Sequence, residues 1–247
     1  MTEYTDPYAV SGEFLDIMIA GWWEHHGPAV AEAVRDLPAD SGPVVDAGAG
    51  GGWGARLLAR TLPGTRVLAI EPSPVLRAVL LSRIAASAEL RDRVTVDGDD
   101  LLSARLPVRV GGVLAANLIG HFSPHERDAL WGDLASRLAP NAFILTNLPH
   151  PVAPERVERT RMSDIRLGER TYSGWAQAEP DGPERVTWQM AYEVREGDRL
   201  VSRSEVRYPW WTVSESSLRA ETEPHGLGVT PQGPEDAGLY RIGRVGR

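Results

Sequence analysis

Between residues 43 and 147 the chain alternates short apolar runs with longer stretches whose apolar positions recur at helical spacing. The runs at 43–47, 66–71, 93–97, 112–117 and 142–147 are too short for helices and predict buried strands. A helix is predicted from about 52 to 62, stopped by Pro63-Gly64. Downstream of 66–71, Ser73 is placed to cap a second helix with Pro74 at its first position, and Leu76, Leu80 and Ile84 share one face. Ser123 and Glu126 have capping-box spacing around Pro124, which starts a third helix ahead of "HERDALWGDLASRL". Such alternation is the grammar of a doubly wound α/β sheet.

Beyond Pro151 the period changes. "VTWQMAYEV" alternates Val186, Trp188, Met190, Tyr192 and Val194 with other residues, and "LVSRSEVRYPWW" answers it across Glu196-Gly197-Asp198. This predicts an antiparallel hairpin with one aromatic face. Ser214 is placed to cap a helix over about 215–223, and the runs at 226–233 and 239–244 are placed to complete the main sheet. Residues 152–170, opened by prolines and rich in charge, are expected to be the most flexible stretch. Upstream, "SGEFLDIMIAGWWEHHGPAVAEAV" predicts two short helices broken at Gly27-Pro28. The expected architecture is α/β, a doubly wound Rossmann-like sheet with an antiparallel hairpin inserted after the fifth strand and an N-terminal helical cover. Its parts would be the cover (1–40), a ligand-binding core (41–150), an aromatic-rich cap or dimerisation insertion (151–212), and a C-terminal helix and strands completing the sheet (213–247).

Composition narrows the chemistry. A formal charge of −8 and the absence of any basic run argue against nucleic acid or an anionic membrane surface as partner. No segment approaches the roughly 20 apolar residues of a membrane helix. The start "MTEYTDPYAV" lacks the basic head and apolar stretch of a signal peptide, so a cytoplasmic protein is expected. Without cysteine there is no thiolate nucleophile or thiolate metal site. Without lysine there is no Schiff-base enzyme and no Walker-type loop. The all-arginine basic set, with abundant Ala, Gly and Pro, points to a GC-rich bacterial genome.

"VVDAGAGGGWGARLLAR" places bare backbone between the first strand and first core helix, where amides can approach a ligand. A dinucleotide fingerprint would want Gly-x-Gly-x-x-Gly or Ala directly after the strand. Starting at Gly48, Trp53 stands at the third glycine's place; only the shifted register Gly50, Gly52, Ala55 satisfies the pattern. Asp46, two residues before the first glycine, has no ionic use in a dinucleotide site and suits a ligand carrying an ammonium group.

The stretch Asp46, Gly48, Gly50, Gly52 resembles the first motif of class I S-adenosylmethionine-dependent methyltransferases, and the resemblance extends over about 44–148. It implies S-adenosylmethionine as cofactor. Asp46, Ala47, Gly48, Ala49 and Gly50 would cradle its methionine part, and Glu71, followed by Pro72, would bind the ribose hydroxyls. "VTVDGDDLL" is similar to the third motif, so Asp99 would accept from the adenine amine while Asp100 and Leu101 line the ring. "LASRLAPNAFILTN" is similar to the family's helix, turn and fifth strand, with Asn141-Ala142 replacing the usual glycine pair; Asn tolerates the left-handed conformation such a turn needs. By the same resemblance Asn117 would hold the cofactor through its backbone, and His121 would fall in the loop bordering the methyl group. The hairpin after the fifth strand resembles the layout of amino-sugar and glycine-type N-methyltransferases.

Candidate catalytic residues are His121, as base or substrate ligand, and His150, after the fifth strand. His125 reads as surface structure, and His25-His26 lie in the N-terminal cover. Pro124 starts the helix between His121 and His125, so the two do not share a helical face and no metal site is expected. Relatives carry an aromatic residue just before an acid in the first helix, whereas "EFLD" places Leu15 before Asp16. Trp22, Trp23, Trp175, Trp188, Trp210 and Trp211 read equally as hairpin packing, as walls of an apolar substrate pocket or, on the hairpin, as a homodimer surface. The expected reaction is methyl transfer to an N or O atom of a small specialised metabolite, such as an antibiotic precursor. Two rivals stand beside it: the same scaffold running a non-methylating reaction such as cyclisation, and a nicotinamide-dependent oxidoreductase.

Overall fold

A computed structural model describes residues 6–245; the first residues of the acidic start and the last two residues lie outside it. The chain runs through α1 (Gly12–Val34), β1 (Val44–Ala47), α2 (Trp53–Thr61), β2 (Val67–Ile70), α3 (Pro74–Ala85), α4 (Ala88–Arg93), β3 (Val94–Asp97) and β4 (Gly112–Ala115). There follow α5 (Pro124–Arg137), β5 (Phe143–Asn147), four long strands β6 (Val157–Leu167), β7 (Arg170–Pro180), β8 (Arg185–Glu196) and β9 (Arg199–Trp211), then α6 (Glu215–Thr222), β10 (Leu227–Gln232) and β11 (Leu239–Arg244).

The main sheet has the order β10-β11-β5-β4-β1-β2-β3. The strands β1 to β5 pair in parallel, and β11 joins antiparallel to β5 and β10. Its central strands β1, β4 and β5 are buried throughout, because helices cover both faces. One face carries α5 and α6 over Val113, Ile144 and Ile242; the other carries α1 to α4 over Val44, Val67 and Leu145. The predicted caps form: Ser73 accepts from the Leu76 amide, and Ser123-Glu126 closes a full capping box. Asn141 adopts φ 64°, so the left-handed turn survives without glycine.

Three expectations need correction. Gly27-Pro28 does not break the N-terminal cover, which is one 23-residue helix. An internal proline costs a helix about 3 kcal/mol. Here burial offsets it: Phe14 packs against the insertion, while Val30 and Val34 enter the core. Residues 152–170 are not a loose stretch, since β6 pairs with β7 through the Gly168-Glu169 turn. Its polar sequence is that of an exposed edge strand, where charge blocks pairing with another chain. The insertion is accordingly a four-stranded antiparallel sheet, β6-β7-β8-β9, of which the expected hairpin is the second half.

Candidate active site

Winding reverses between β1 and β4, and open α/β sheets bind ligands outside the strand ends at that point. A cavity of about 890 Å³ lies there, large enough for a nucleoside-bearing ligand beside a small substrate. Asp46, Gly48, Ala49, Gly50, Glu71, Pro72, Asp99, Asp100, Leu101, Asn117 and His121 all line it. Ala47 faces the core instead, 1% exposed. His150 is exposed, 3.6 Å from Glu155, and outside the lining. The chain leaving β5 follows β11, with the Leu148 amide donating to the Gly238 carbonyl at 3.0 Å.

The glycine loop is built by necessity. Gly48, Gly50 and Gly52 have φ of 66°, 53° and 92°, a region side chains rarely adopt. A β-carbon on Gly48 would also stand 2.7 Å from Leu118. Glu71 organises the loop from below, one carboxylate oxygen accepting from the Gly50 amide (2.7 Å) and the other from the Ser73 amide (2.8 Å). Each oxygen keeps a further lone pair for a ligand. Burial raises the Glu71 pKa, opposed by those two amides.

Asp46 is 3% exposed and packs against the start of α2, where a β-carbon on Gly54 would lie 2.4 Å from its carboxylate. Burial pushes its pKa up to about 7; the Ala55 amide opposes the shift and the nearby Glu71 charge adds to it. Its Oδ2 is a buried acceptor without a hydrogen-bond partner, and Nε1 of Trp53, another lining residue, is a buried donor without one. Native structures leave few such atoms unsatisfied; Thr65 Oγ1 is a third, away from the cavity, whereas Asp46 and Trp53 both belong to its lining.

Next to the glycine loop, β4 and β5 are locked by a reciprocal pair: the Asn117 amide donates to Asn147 Oδ1 (2.7 Å), and Asn147 Nδ2 donates to Asn117 Oδ1 (2.8 Å). Asn117 takes φ 52° to do so. This turn delivers His121, whose Nε2 shares a 2.8 Å hydrogen bond with the Tyr8 hydroxyl. Tyr208 and Trp210 of β9 close around the imidazole, with ring centroids at 6.4 and 4.8 Å. Trp210 sits so tightly on Gly120 that a β-carbon there would come within 2.0 Å. Burial in this box lowers the His121 pKa to about 4, so the ring is neutral at pH 7.

Of the further lining residues, the sequence singles out Leu15, Asp16 and Trp23 but not Tyr8 or Ile19. Tyr8 precedes α1, and Leu15, Asp16, Ile19 and Trp23 come from α1 itself. Phe14 turns away to stack on Tyr192 at 4.9 Å, which explains why Leu15 stands beside Asp16 at the cavity. Arg83 ties this cover down: its guanidinium bonds both Asp16 oxygens (3.1 and 2.8 Å) and the Gly51 carbonyl, and lies 4.8 Å from the Trp53 ring. Nothing in the "LSRIAA" stretch around Arg83 distinguishes it from a solvated helix arginine. Of the singled-out tryptophans, Trp23 lines the cavity and Trp210 backs His121. Trp175 and Trp211 lie instead under arginines of the antiparallel sheet.

The seven-stranded order, the antiparallel pair closing it beyond β5 and the cavity at the β1/β4 switch define the fold of class I S-adenosylmethionine-dependent methyltransferases. The solved structure of CalS10, an amino pentose methyltransferase from Micromonospora echinaspora involved in calicheamicin biosynthesis, is similar over 99% of both chains, with TM-score 0.75 and 16% identity. The sugar N-methyltransferase KedS8 from Streptoalloteichus sp. ATCC 53650 is similar over 99% of this chain and 96% of its own, with TM-score 0.72 and 16% identity. In sequence, ribosomal RNA small subunit methyltransferase H of Synechococcus sp. (strain CC9902) is 36% identical over 94 residues. That match spans 36% of this chain and 31% of the relative, so the chain covers about a third of it. No protein-family model matches.

Proposed function

We propose that the chain transfers a methyl group from S-adenosylmethionine to an N or O atom of a small specialised metabolite. The observation that carries this reading is the pair of orphaned polar atoms at the glycine loop, the Asp46 acceptor and the Trp53 donor. A zwitterionic amino-acid group satisfies both, its ammonium on Asp46 and its carboxylate on the indole N–H. A dinucleotide's pyrophosphate has no ammonium for Asp46 and would be repelled by it. Glu71 has lone pairs left for ribose hydroxyls, and Asp99, Asp100 and Leu101 line the space an adenine would take. Bound there, the cofactor supplies an electrophilic methyl group on a sulfonium.

The protein's part in such a displacement is to exclude water and hold the reacting atoms in line. The α1 cover, held by Arg83, closes one side of the cavity. A neutral His121 adds no positive charge beside a sulfonium. Tyr8 and His121 stand together at the cavity, 2.8 Å apart, where they act as a pair that orients a substrate N–H or O–H. With its pKa at about 4, His121 is a weak proton acceptor at neutral pH, which favours an amine that arrives uncharged over an alcohol that must be deprotonated. The names of CalS10 and KedS8 agree with an amine substrate. A charge of −8 sets a small molecule above ribosomal RNA. We place the activity in the cytoplasm, and no helix of residues 6–245 is long and apolar enough to cross a membrane.

Calorimetric titration with S-adenosylmethionine and S-adenosylhomocysteine tests the reading. Wild type is expected to bind both at micromolar affinity, and Glu71→Ala to lose at least about tenfold through its missing ribose contacts. Absence of binding to either ligand in the wild type would overturn the proposal.

A further inference from the structure

Outside the cavity, α1 meets the connection between β10 and β11. A β-carbon on Gly233 would lie 3.6 Å from Ala29 of α1, and Ala237 in the connection is 4% exposed, so the two segments are in packing contact. On the rim of this seam stand His25 and His26 of α1 and Asp236 of the connection. His25 Nε2 is 3.1 Å from Asp236 Oδ2, and the two imidazole centroids are 4.6 Å apart with planes at 82°. One ligand atom from each of the three residues lies within 4.8 Å of the other two. Among the described residues this is the one group of three His, Cys, Asp or Glu side chains that meets that distance.

We propose that His25, His26 and Asp236 bind a divalent transition metal ion of the zinc class, which clips α1 to the β10–β11 connection. Two imidazole nitrogens and one carboxylate oxygen form a donor set that zinc accepts at about 2.0–2.2 Å, with water as the fourth ligand. Tetrahedral ligands at that distance stand about 3.4 Å from one another. The His25–Asp236 pair, at 3.1 Å, already has nearly that separation, and with His26 inside 4.8 Å of both, a side-chain rotation that moves its nitrogen by up to about 1.4 Å closes the set. Consecutive helix residues point about 100° apart, so a partner lying between them can be reached by both rings. As a bare ion pair, with side chains 69% and 63% exposed, His25–Asp236 contributes little to the fold. A shared metal turns the same contact into a link between segments some 210 residues apart in sequence. It would restrain the helix whose Leu15, Asp16, Ile19 and Trp23 line the cavity.

The test uses the full chain after chelator treatment, titrated calorimetrically with Zn²⁺. One equivalent should bind at micromolar affinity, and Asp236→Ala and His26→Gln should each weaken binding about tenfold or more. Both side chains lie at the rim, so each metal-free variant should melt within about 2 °C of wild type. Saturating Zn²⁺ should raise the wild-type Tm by roughly 5 °C and leave the variants unmoved. Trp22, whose ring is 5.0 Å from that of His26, gives a second readout: Ni²⁺ should quench tryptophan emission in wild type and much less in Trp22→Phe. The proposal fails if Zn²⁺ does not bind, if both variants bind it as tightly as wild type, or if binding survives Asp236→Ala undiminished, since the histidine pair alone would then hold the ion without any clip. None of these readouts depends on methyl transfer.

Discussion

Asp46 and His121 line one cavity, and burial perturbs them in opposite senses. Asp46 has a folded pKa of about 7 against an unfolded value near 3.8. The stability associated with its protonated form is complete below the unfolded value and is lost as pH rises through about 7, at up to about 1.4 kcal/mol per pH unit. His121, depressed from 6.5 to about 4, contributes stability that is present above 6.5 and lost as pH falls through 4. Urea unfolding of the ligand-free protein between pH 4 and 8 should therefore show Asp46→Asn abolishing the decline toward pH 7, and His121→Phe abolishing the decline toward pH 4. A wild-type slope unchanged by Asp46→Asn would show that its carboxylate is hydrated in solution. Tyr8→Phe should lower turnover about 10- to 100-fold while leaving the cofactor Kd within about twofold if Tyr8 and His121 form the proposed substrate-orienting pair. At this scale the sequence was informative where a motif places a backbone or carboxylate at the cavity, and silent about Tyr8 and Arg83. Their partners, His121 and Asp16, lie 113 and 67 residues away.

The position of α1 between the two sheets decides how closed the cavity is. Its Phe14 stacks on Tyr192 of β8, its Asp16 is held by Arg83 of α3, and its Val30 and Val34 enter the core behind the glycine loop. Arg83→Met removes the link between α1, α3 and the Gly51 carbonyl while keeping most of the side-chain volume. Amide exchange across residues 12–23 should accelerate, and S-adenosylmethionine affinity should fall about tenfold, with little change in Tm. An exchange pattern identical to wild type would mean that the Phe14 contacts suffice to hold the cover. On the opposite face, α5 and α6 are joined by Arg127, whose side chain is 2% exposed and donates to both Glu221 oxygens (2.9 and 2.6 Å). Glu221→Ala strands a buried guanidinium and should destabilise the protein by about 3 kcal/mol or more in urea titration. The helices α2, α3, α5 and α6, the Ser73, Ser123 and Ser214 caps and the apolar stripe of α3 were legible because they depend on neighbours in sequence, whereas the short α4 was missed. The unbroken α1 and the ordered β6 were not legible, because a proline inside a helix and a charged edge strand are stabilised by distant partners.

Across the whole molecule the antiparallel insertion is tied to the core at Phe14–Tyr192 and at Trp210 on Gly120. Unfolding should be a single transition, with tryptophan fluorescence and far-ultraviolet circular dichroism coinciding. Phe14→Ala, which empties a fully buried site between the sheets, should cost about 3–5 kcal/mol. Two separated transitions in the wild type would instead make the insertion an independent unit. The sequence by itself determined the strand-helix alternation, the caps, the glycine loop with Asp46 and Glu71 at its flanks, and the hairpin across Gly197. Each rests on periodicity, on backbone conformations few residues tolerate, or on charge placed within a few tens of residues. Only the tertiary structure decided that His121 meets Tyr8, Tyr208 and Trp210, that Arg83 fastens the cover, that His150 stays outside the cavity, and that Asp236 meets His25 beside His26. These contacts span distances in sequence over which no local pattern operates; packing of the two sheets around α1 and closure of the main sheet by β10 and β11 bring them together.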